Sequence, residues 1–357
     1  MSREMTIQSH KGPYSVFFDD EAFASMDRNI SENCHFIIDE RIADLYATKL
    51  KKVLASSSVL LIKATEENKS LDHTPAYVEH LVDNGIRRDH ALLAIGGGII
   101  QDITCFLATS ILRGVEWSFY PTTLLAQADS CIGSKSSINC GNAKNILGSF
   151  SPPRRVTICP HFLDTLDERD LRSGVGEMLK VHAIAGPEDF DAIAADYGNI
   201  FSDRALMMKY IRRSLEVKQR FIEEDEFDNG IRNVFNFGHS FGHAIEAATA
   251  FAIPHGIAVT IGMDMANFVA EKLFVGSQEN FQRMHPVLKE NYRGFEDFPI
   301  PLEVFLAAIS KDKKNVGAGN VTLILPGKDG RIFKDGYAND EFFSASCKQF
   351  LDEGRIR

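Results

Sequence analysis

The sequence predicts a two-domain protein, an α/β half followed by an α-helical half, on three observations. Its 357 residues exceed what one hydrophobic core usually organises. Short β-branched runs alternate with helical patterns through the first half, the signature of a parallel sheet with crossover helices. From about Leu163 onward strand patterns become scarce and amphipathic stretches of helix length take over. A composition 44% apolar and 25% charged belongs to an ordered globular chain rather than a disordered one.

In chain order, Tyr14 to Phe18, His35 to Asp39, Val59 to Lys63 and Ala91 to Ile95 read as strands. The last runs directly into Gly96-Gly97-Gly98, and a helical pattern begins near Ile99. Backbone N–H groups and a helix N-terminus there can receive a pyrophosphate, although a tight strand-to-helix turn reads equally from the same glycines. Asp39, at its strand end, suits a ribose hydroxyl or a helix cap. The stretch from Pro121 to Ser130, with Cys131-Ile-Gly-Ser-Lys135 and Asn142 to Gly148, concentrates Gly, Asn, Ser and Lys without an apolar period, and reads as a binding loop. Lys135, Lys144 and Asn145, with Arg113-Gly114 upstream, are donors of the kind a phosphate needs, or a solvated surface. Ser151-Pro152-Pro153 punctuates the change of pattern and places the boundary between 150 and 170. Ala205 to Glu223 and Ile257 to Lys272 are the clearest helices beyond it.

The segment Asn236-Phe-Gly-His-Ser-Phe-Gly-His-Ala-Ile-Glu246 carries spacing that a divalent ion can use, with Pro254-His255-Gly256 downstream. His239 and His243 stand four apart and share one face of a helix. A distant carboxylate such as Glu177 could complete a two-histidine, one-carboxylate site; the pair alone, without the Glu of His-Glu-x-x-His, reads equally as ordinary core or surface histidines.

Other function classes are disfavoured. A formal charge of −10 argues against nucleic acid or an anionic membrane as partner and points to a small ligand. Six cysteines without a Cys-x-x-Cys pair, behind an N-terminus lacking the apolar core of a signal peptide, indicate reduced thiols in a cytoplasmic protein. The most apolar stretch, Ala91 to Leu112, is interrupted by its glycines and by Gln101-Asp102, short of the roughly 18 to 20 residues that cross a bilayer. Cys131 and Cys140 read as small buried residues, and Trp117 as core.

Several motifs in register extend this reading. Gly96-Gly97-Gly98 with Asp102, Leu112-Arg113-Gly114-Val115, Pro121-Thr-Thr-Leu-Leu-Ala126, Asp129-Ser130, Lys144-Asn145, Gly176-Glu177 with Lys180, and Asn236 to His243 together resemble the 3-dehydroquinate synthases, within the wider sugar phosphate cyclases. The resemblance spans nearly the whole chain. It implies an N-terminal Rossmann-like dinucleotide-binding α/β domain, residues 1–165, and an α-helical metal- and substrate-binding C-terminal domain, residues 166–357.

It also implies a site. Glu177, His239 and His255 would hold zinc or cobalt, leaving open coordination positions for substrate hydroxyls, and His243 would serve the leaving phosphate instead. Lys135, Asn145, His243, Arg113 and one or both of Lys313 and Lys314 would bind that phosphate, Arg113 reaching in from the partner subunit of a homodimer. Lys218, Arg232 and Asn236 would face the substrate carboxylate and neighbouring hydroxyls, with Asp129, Lys180 and Lys144 around the sugar ring. Asp39, Glu66, Lys69, Gly97, Gly98, Asp102, Thr122 and Thr123 would hold NAD. The implied reaction converts 3-deoxy-D-arabino-heptulosonate 7-phosphate to 3-dehydroquinate and phosphate through transient oxidation, phosphate elimination, reduction, ring opening and intramolecular aldol closure, in the shikimate pathway to aromatic amino acids.

Three departures from the family pattern bear on the substrate. The usual Gly-Gly-Lys is Gly133-Ser134-Lys135, and Ser134 adopts a positive φ less cheaply than glycine. Asp-Glu-x-Glu is Asp225-Glu226-Phe227-Asp228, and Gln101 replaces a glycine before Asp102. A relative acting on sedoheptulose 7-phosphate or glucose 6-phosphate is the alternative, and a metal-dependent polyol dehydrogenase a more distant one. Lys218 and Arg232 favour the carboxylate-bearing substrate, because without it two cations would lack a partner.

Overall fold

Parallel pairing organises the N-terminal half around strands buried on both faces. A computed structural model of the chain describes residues 3–30, 33–141, 143–311 and 319–356. It divides into two compact units, Met1–Leu166 with Lys218–Asp228, and Asp167–Val217 with Asn229–Arg357.

The first unit holds strands β1 (Glu4–Ile7), β2 (Tyr14–Phe18), β3 (Cys34–Asp39), β4 (Val59–Ile62), β5 (Ala91–Gly96), β6 (Glu116–Pro121), β7 (Lys135–Cys140), β8 (Ala143–Phe150) and β9 (Arg155–Ile158). Its helices are α1 (Ala22–Asn29), α2 (Glu40–Leu45), α3 (Lys51–Leu54), α4 (Thr74–Asp83) and α5 (Gly98–Ser110). Among the described residues seven strands form one sheet in the order β1-β2-β9-β6-β5-β3-β4, parallel except for β1 against β2. The four strands expected from sequence are β2, β3, β4 and β5. In β3 the consecutive residues His35, Phe36, Ile37 and Ile38 are all buried, as a parallel strand covered on both faces requires. Phe36 and Ile38 pack with Met26, Ile42, Tyr46 and Phe162.

Strand order places the nucleotide candidates. β3 pairs with β5 with Ile38 opposite Ile95, and β4 and β6 lie on opposite outer sides of that pair. Crossovers leaving β3 and β5 therefore diverge, opening a crevice beside Asp39 and Gly96 at the strand ends, where ligands of open α/β sheets bind.

The polar segment that reads as a loop contains an antiparallel hairpin, β7 with β8, preceded by a π-helical turn at Ala126–Ser130. Its outer strand β8 is exposed along most of its length, so its residues lack the apolar alternation that marks a strand, and backbone pairing holds it.

The second unit is built of α6 (Glu168–Ala185), α7 (Pro187–Ile200), α8 (Arg204–Glu224, whose end from Lys218 belongs to the first unit), α9 (His239–Ala248), α10 (His255–Lys272), α11 (Gln278–Asn291), α12 (Leu302–Ser310) and α13 (Glu341–Gln349). It is not purely helical: β10 (Asn320–Pro326) and β11 (Ile332–Ala338) form a hairpin that the helical reading misses. β10 is a short apolar run, ambiguous between strand and helix from periodicity alone. α10 is buried from Gly256 to Ala270 and forms the centre of this unit.

Glycines let α10 approach its neighbours backbone to backbone. A Cβ on Gly176 of α6 would stand 2.3 Å from Gly256 O, and one on Gly262 of α10 would stand 2.1 Å from Gly238 O, just before α9. Each close approach lies beside a candidate ligand: Gly176 precedes Glu177, Gly238 precedes His239, and Gly256 follows His255.

Candidate functional site

In the second unit those approaches bring Glu177, His239 and His255 together. Glu177 is 2% exposed. Its Oε2 accepts from Lys180 Nζ at 2.5 Å. Its Oε1 lies 3.4 Å from His255 Nε2 and 3.8 Å from His239 Nε2, and no donor is hydrogen-bonded to it. A buried carboxylate oxygen that faces two imidazole nitrogens without a well-formed hydrogen bond is poorly compensated, and a cation among these three atoms would compensate it. The donor set, one carboxylate and two imidazoles, is that of catalytic zinc sites.

Electrostatics agree. Burial works to raise the Glu177 carboxyl, but Lys180, His239 and His255 outweigh it and hold the group well below the usual range. Burial and then the Lys180 charge keep His239 well below its ordinary value, leaving a neutral ring able to ligate. Burial also works against a proton on His255, yet Glu177 and Glu246 outweigh it and push that ring up to about 10, so a metal there displaces a proton.

His243 joins the same cluster: one ring nitrogen from each of His239, His243 and His255 lie within 4.8 Å of one another. The exposed position of His243, against the orphaned oxygen of Glu177, favours the carboxylate set over three histidines. Glu246, three residues past His243, was not singled out from the sequence. Its Oε1 lies 3.2 Å from His255 Nδ1, an outer-shell carboxylate of the kind that aims the opposite ring nitrogen at a metal. Helical spacing put Glu246 near the pair, but only the turn into α10 brings His255 to it. Arg232, 8% exposed, and Asn236 occupy the 3-10 turn Ile231–Asn236, where Asn236 Nδ2 donates to Asn233 O.

The first unit carries the remaining described candidates. Gly97 is the N-cap of α5, directly after β5, and a Cβ on it would stand 3.0 Å from Thr123 Cγ2, so the turn tolerates little beyond glycine. The Thr122 N–H donates to Gly96 O, tying the β6 end to the same turn. Asp39 caps α2 through the Arg41 N–H at 3.1 Å, so the capping alternative is realised while the side chain stays at the β3 end. Lys69 is 5% exposed; its Nζ meets Asp102 Oδ2 at 3.2 Å, Glu66 Oε1 at 3.3 Å and Asn145 Oδ1 at 2.9 Å. Burial raises the Asp102 carboxyl to about 6, against the opposing pull of Lys69 and the Ser137 N–H. Asn139, also absent from the sequence-based set, links Glu66 to Asn145.

Lys218 Nζ, near the end of α8, meets Asp129 Oδ1 at 2.5 Å. That pair corrects part of the substrate argument: Lys218 already has an anionic partner and does not by itself call for a substrate carboxylate. Lys135 Nζ pairs with Asp228 Oδ2 at 2.9 Å, Asp228 having φ 60. The concern over Ser134 is removed, because Gly133 takes the positive φ of 106 and Ser134 does not. Gln101 is accommodated by a reciprocal pair with Ser130, donating to its carbonyl at 2.6 Å and accepting from its hydroxyl at 2.8 Å. Arg113 stands at an exposed 3-10 turn with φ 69, and Lys144 is exposed on β8. Lys313 and Lys314 lie outside the described residues. Cys131 is fully buried with its thiol pushed up to about 12 by that burial, whereas Cys140 is half-buried, and none of the six cysteines is in a disulfide.

Comparison with known proteins decides the family. A model of the 3-dehydroquinate synthase N-terminal domain matches residues 59–173, and one of the C-terminal domain matches residues 174–315. A 3-dehydroquinate synthase of Rhizobium rhizogenes is 35% identical over 329 residues, covering 89% of this chain and 86% of that one. The chain belongs to the 3-dehydroquinate synthase family. Solved structures share the fold of this family member. A 2-deoxy-scyllo-inosose synthase complexed with carbaglucose-6-phosphate, NAD+ and Co2+ superposes with a TM-score of 0.85 at 21% identity, covering 98% of this chain and 99% of that one. ValA, the 2-epi-5-epi-valiolone synthase of Streptomyces hygroscopicus, with NAD+ and Zn2+ bound, gives 0.81 at 25% identity, with 96% and 97% covered. Among the described residues no helix is long and apolar enough to cross a membrane.

Proposed function

We propose that this chain is a 3-dehydroquinate synthase, converting 3-deoxy-D-arabino-heptulosonate 7-phosphate to 3-dehydroquinate and phosphate with NAD and a zinc or cobalt ion. The observation that carries the reading is the sustained likeness to curated 3-dehydroquinate synthases, 31 to 35% identical over most of the chain, together with the convergence of Glu177, His239 and His255 around an orphaned carboxylate oxygen.

Glu177, His239 and His255 would hold the ion, and the crevice at Asp39, Gly97, Gly98, Asp102, Thr122 and Thr123, with Glu66 and Lys69, would hold the dinucleotide. When bound, the ion would polarise hydroxyl and ketone oxygens, and the nicotinamide would accept and return a hydride. The protein's own groups bind and orient. Lys135, Asn145, Arg113 and His243 would take the phosphate, whose departure needs positioned cationic and N–H donors more than a strong protein acid. Lys180 would meet the sugar ring while its charge holds Glu177 ionised. Lys218, paired with Asp129, would meet a substrate hydroxyl or carboxylate, as would Arg232 and Asn236. Lys144, beside Asn145, would reach the ring as well.

A homodimer with Arg113 reaching toward the partner's phosphate, a cytoplasmic location and a place in the shikimate pathway go with this reading. The exposed, left-handed turn at Arg113 supports the first.

The test is phosphate release from 3-deoxy-D-arabino-heptulosonate 7-phosphate with catalytic NAD+ and added zinc or cobalt, while absorbance at 340 nm reports NADH. Stoichiometric phosphate without NADH build-up is the expected result. Release only from sedoheptulose 7-phosphate or glucose 6-phosphate would move the chain to another cyclase activity, and net NADH from simple polyols would replace the reading with a dehydrogenase.

A further inference from the structure

Asn139 sits at the irregularity of the β7–β8 hairpin, between Ile138 and Cys140, and is 6% exposed. Its backbone N–H donates to Lys69 O at 2.9 Å and its carbonyl accepts from the Leu71 N–H at 2.8 Å. Its side-chain Nδ2 donates to Glu66 O and to Glu66 Oε2, both at 3.0 Å, and its Oδ1 accepts from the Asn145 N–H at 2.9 Å. Donor and acceptor capacity of main chain and amide are thus spent on two segments, the 66–71 loop and the Asn145 turn.

Asn145 needs such a hold. Its φ of 51 lies in the left-handed region, which asparagine adopts more readily than other non-glycine residues when local hydrogen bonds support it. Asn139 grips its backbone, and Lys69 Nζ grips its side-chain oxygen at 2.9 Å. In the functional reading Glu66 serves the dinucleotide and Asn145 the phosphate. The planar Asn139 amide therefore touches both, beside Lys69 Nζ, which meets the two side chains; only the amide holds the Asn145 backbone, and a rotation that follows Glu66 displaces the oxygen that holds it.

We propose that Asn139 is a positioning residue that couples dinucleotide occupancy to phosphate binding. The coupling rests on the functional reading above. It requires asparagine: aspartate keeps an acceptor for the Asn145 N–H but replaces the two donations to Glu66 with a like charge, and alanine severs both links.

The test is calorimetric titration of the zinc-loaded full-length protein with NAD+, with and without inorganic phosphate, and the reverse. In the unaltered protein each ligand tightens the other by the same factor, about five-fold or more. In Asn139→Asp that factor falls to about half or less, the Lys69 link between Glu66 and Asn145 remaining, while affinity for phosphate alone stays within about three-fold; in Asn139→Ala the factor falls likewise and phosphate binds more weakly by itself. Combining Asn139→Asp with Glu66→Gln restores a hydrogen bond with donor and acceptor exchanged, and the coupling returns, which a merely structural role would not produce. Should Asn139→Asp fail to fold by near-ultraviolet circular dichroism, Asn139→Ala carries the same comparison. Undiminished coupling in the single variants overturns the proposal, as does unaltered protein that binds both ligands without coupling. Failure of the unaltered protein to bind either ligand overturns the functional reading and this inference with it.

Discussion

Replacing Glu177 by glutamine tests the centre of the candidate site without removing volume. Glu177 and Lys180 are 2% and 3% exposed and meet at 2.5 Å. Neutralising Glu177 removes the countercharge 2.5 Å from Lys180 and costs up to about 3–5 kcal/mol. Lys180 Nζ also lies 5.7 Å over the Phe235 ring, a contact that survives the substitution and places the cost near the lower end of that range. For a unit of this size, about 3 kcal/mol lowers the melting temperature by about 6–12 °C. The measurement is thermal unfolding of chelator-treated protein, with zinc content of the reloaded protein by elemental analysis. Glu177→Gln should melt lower in the metal-free state and hold much less zinc. Adding Lys180→Met should recover part of the melting temperature but none of the zinc, because the buried charge that faced Glu177 is gone while the ligand is still missing. A metal-free variant melting within about 2 °C of the parent, with full zinc occupancy, would refute both the pairing energy and the ligand role.

Three further outcomes follow from other residues. Burial holds the His182 imidazole down at about 4 against 6.5 in an open chain, so below about 6.5 the unfolded chain takes a proton that the folded one refuses. Stability should therefore fall as pH drops from 6.5 toward 4, by up to about 3 kcal/mol, and His182→Leu should flatten that slope in urea titrations; an unchanged slope would rule His182 out as its source. Gly97→Ala puts a methyl 3.0 Å from Thr123 Cγ2 and should raise the NAD+ dissociation constant about ten-fold or more, read by calorimetry, with little change in zinc content. Glu246→Gln weakens the acceptor facing His255 Nδ1 and should lower zinc affinity about ten-fold in chelator competition, with the d–d spectrum of cobalt-loaded protein shifted; an identical spectrum and affinity would leave Glu246 without that role.

The α/β order, the glycine turn after β5 and the long helices α8 and α10 were legible in the sequence because each is encoded locally. β-branched runs bounded by turn residues make strands, and an apolar repeat of 3.6 makes helices. The polar hairpin β7–β8 was not, since an exposed strand held by backbone pairing leaves no apolar pattern. The metal candidates were named through motif spacing and family resemblance, and His239 with His243 by helical periodicity. That Glu177 and His255 reach them depends on glycines at 176, 238, 256 and 262, whose missing Cβ atoms allow α6, α9 and α10 to touch along their backbones. Glu246 and Asn139 escaped notice for a related reason. Their partners, His255, Glu66 and Asn145, are brought to them by turns and strand pairing rather than by a repeating pattern. By itself the sequence determined which side chains the chemistry has available and which segments fold as strand or helix, because local sterics and hydrophobic period decide those. Only the tertiary structure decided which carboxylate faces which imidazole, that Asp129 neutralises Lys218, and that one buried amide joins Glu66 to Asn145, because such contacts depend on packing between segments far apart in the chain.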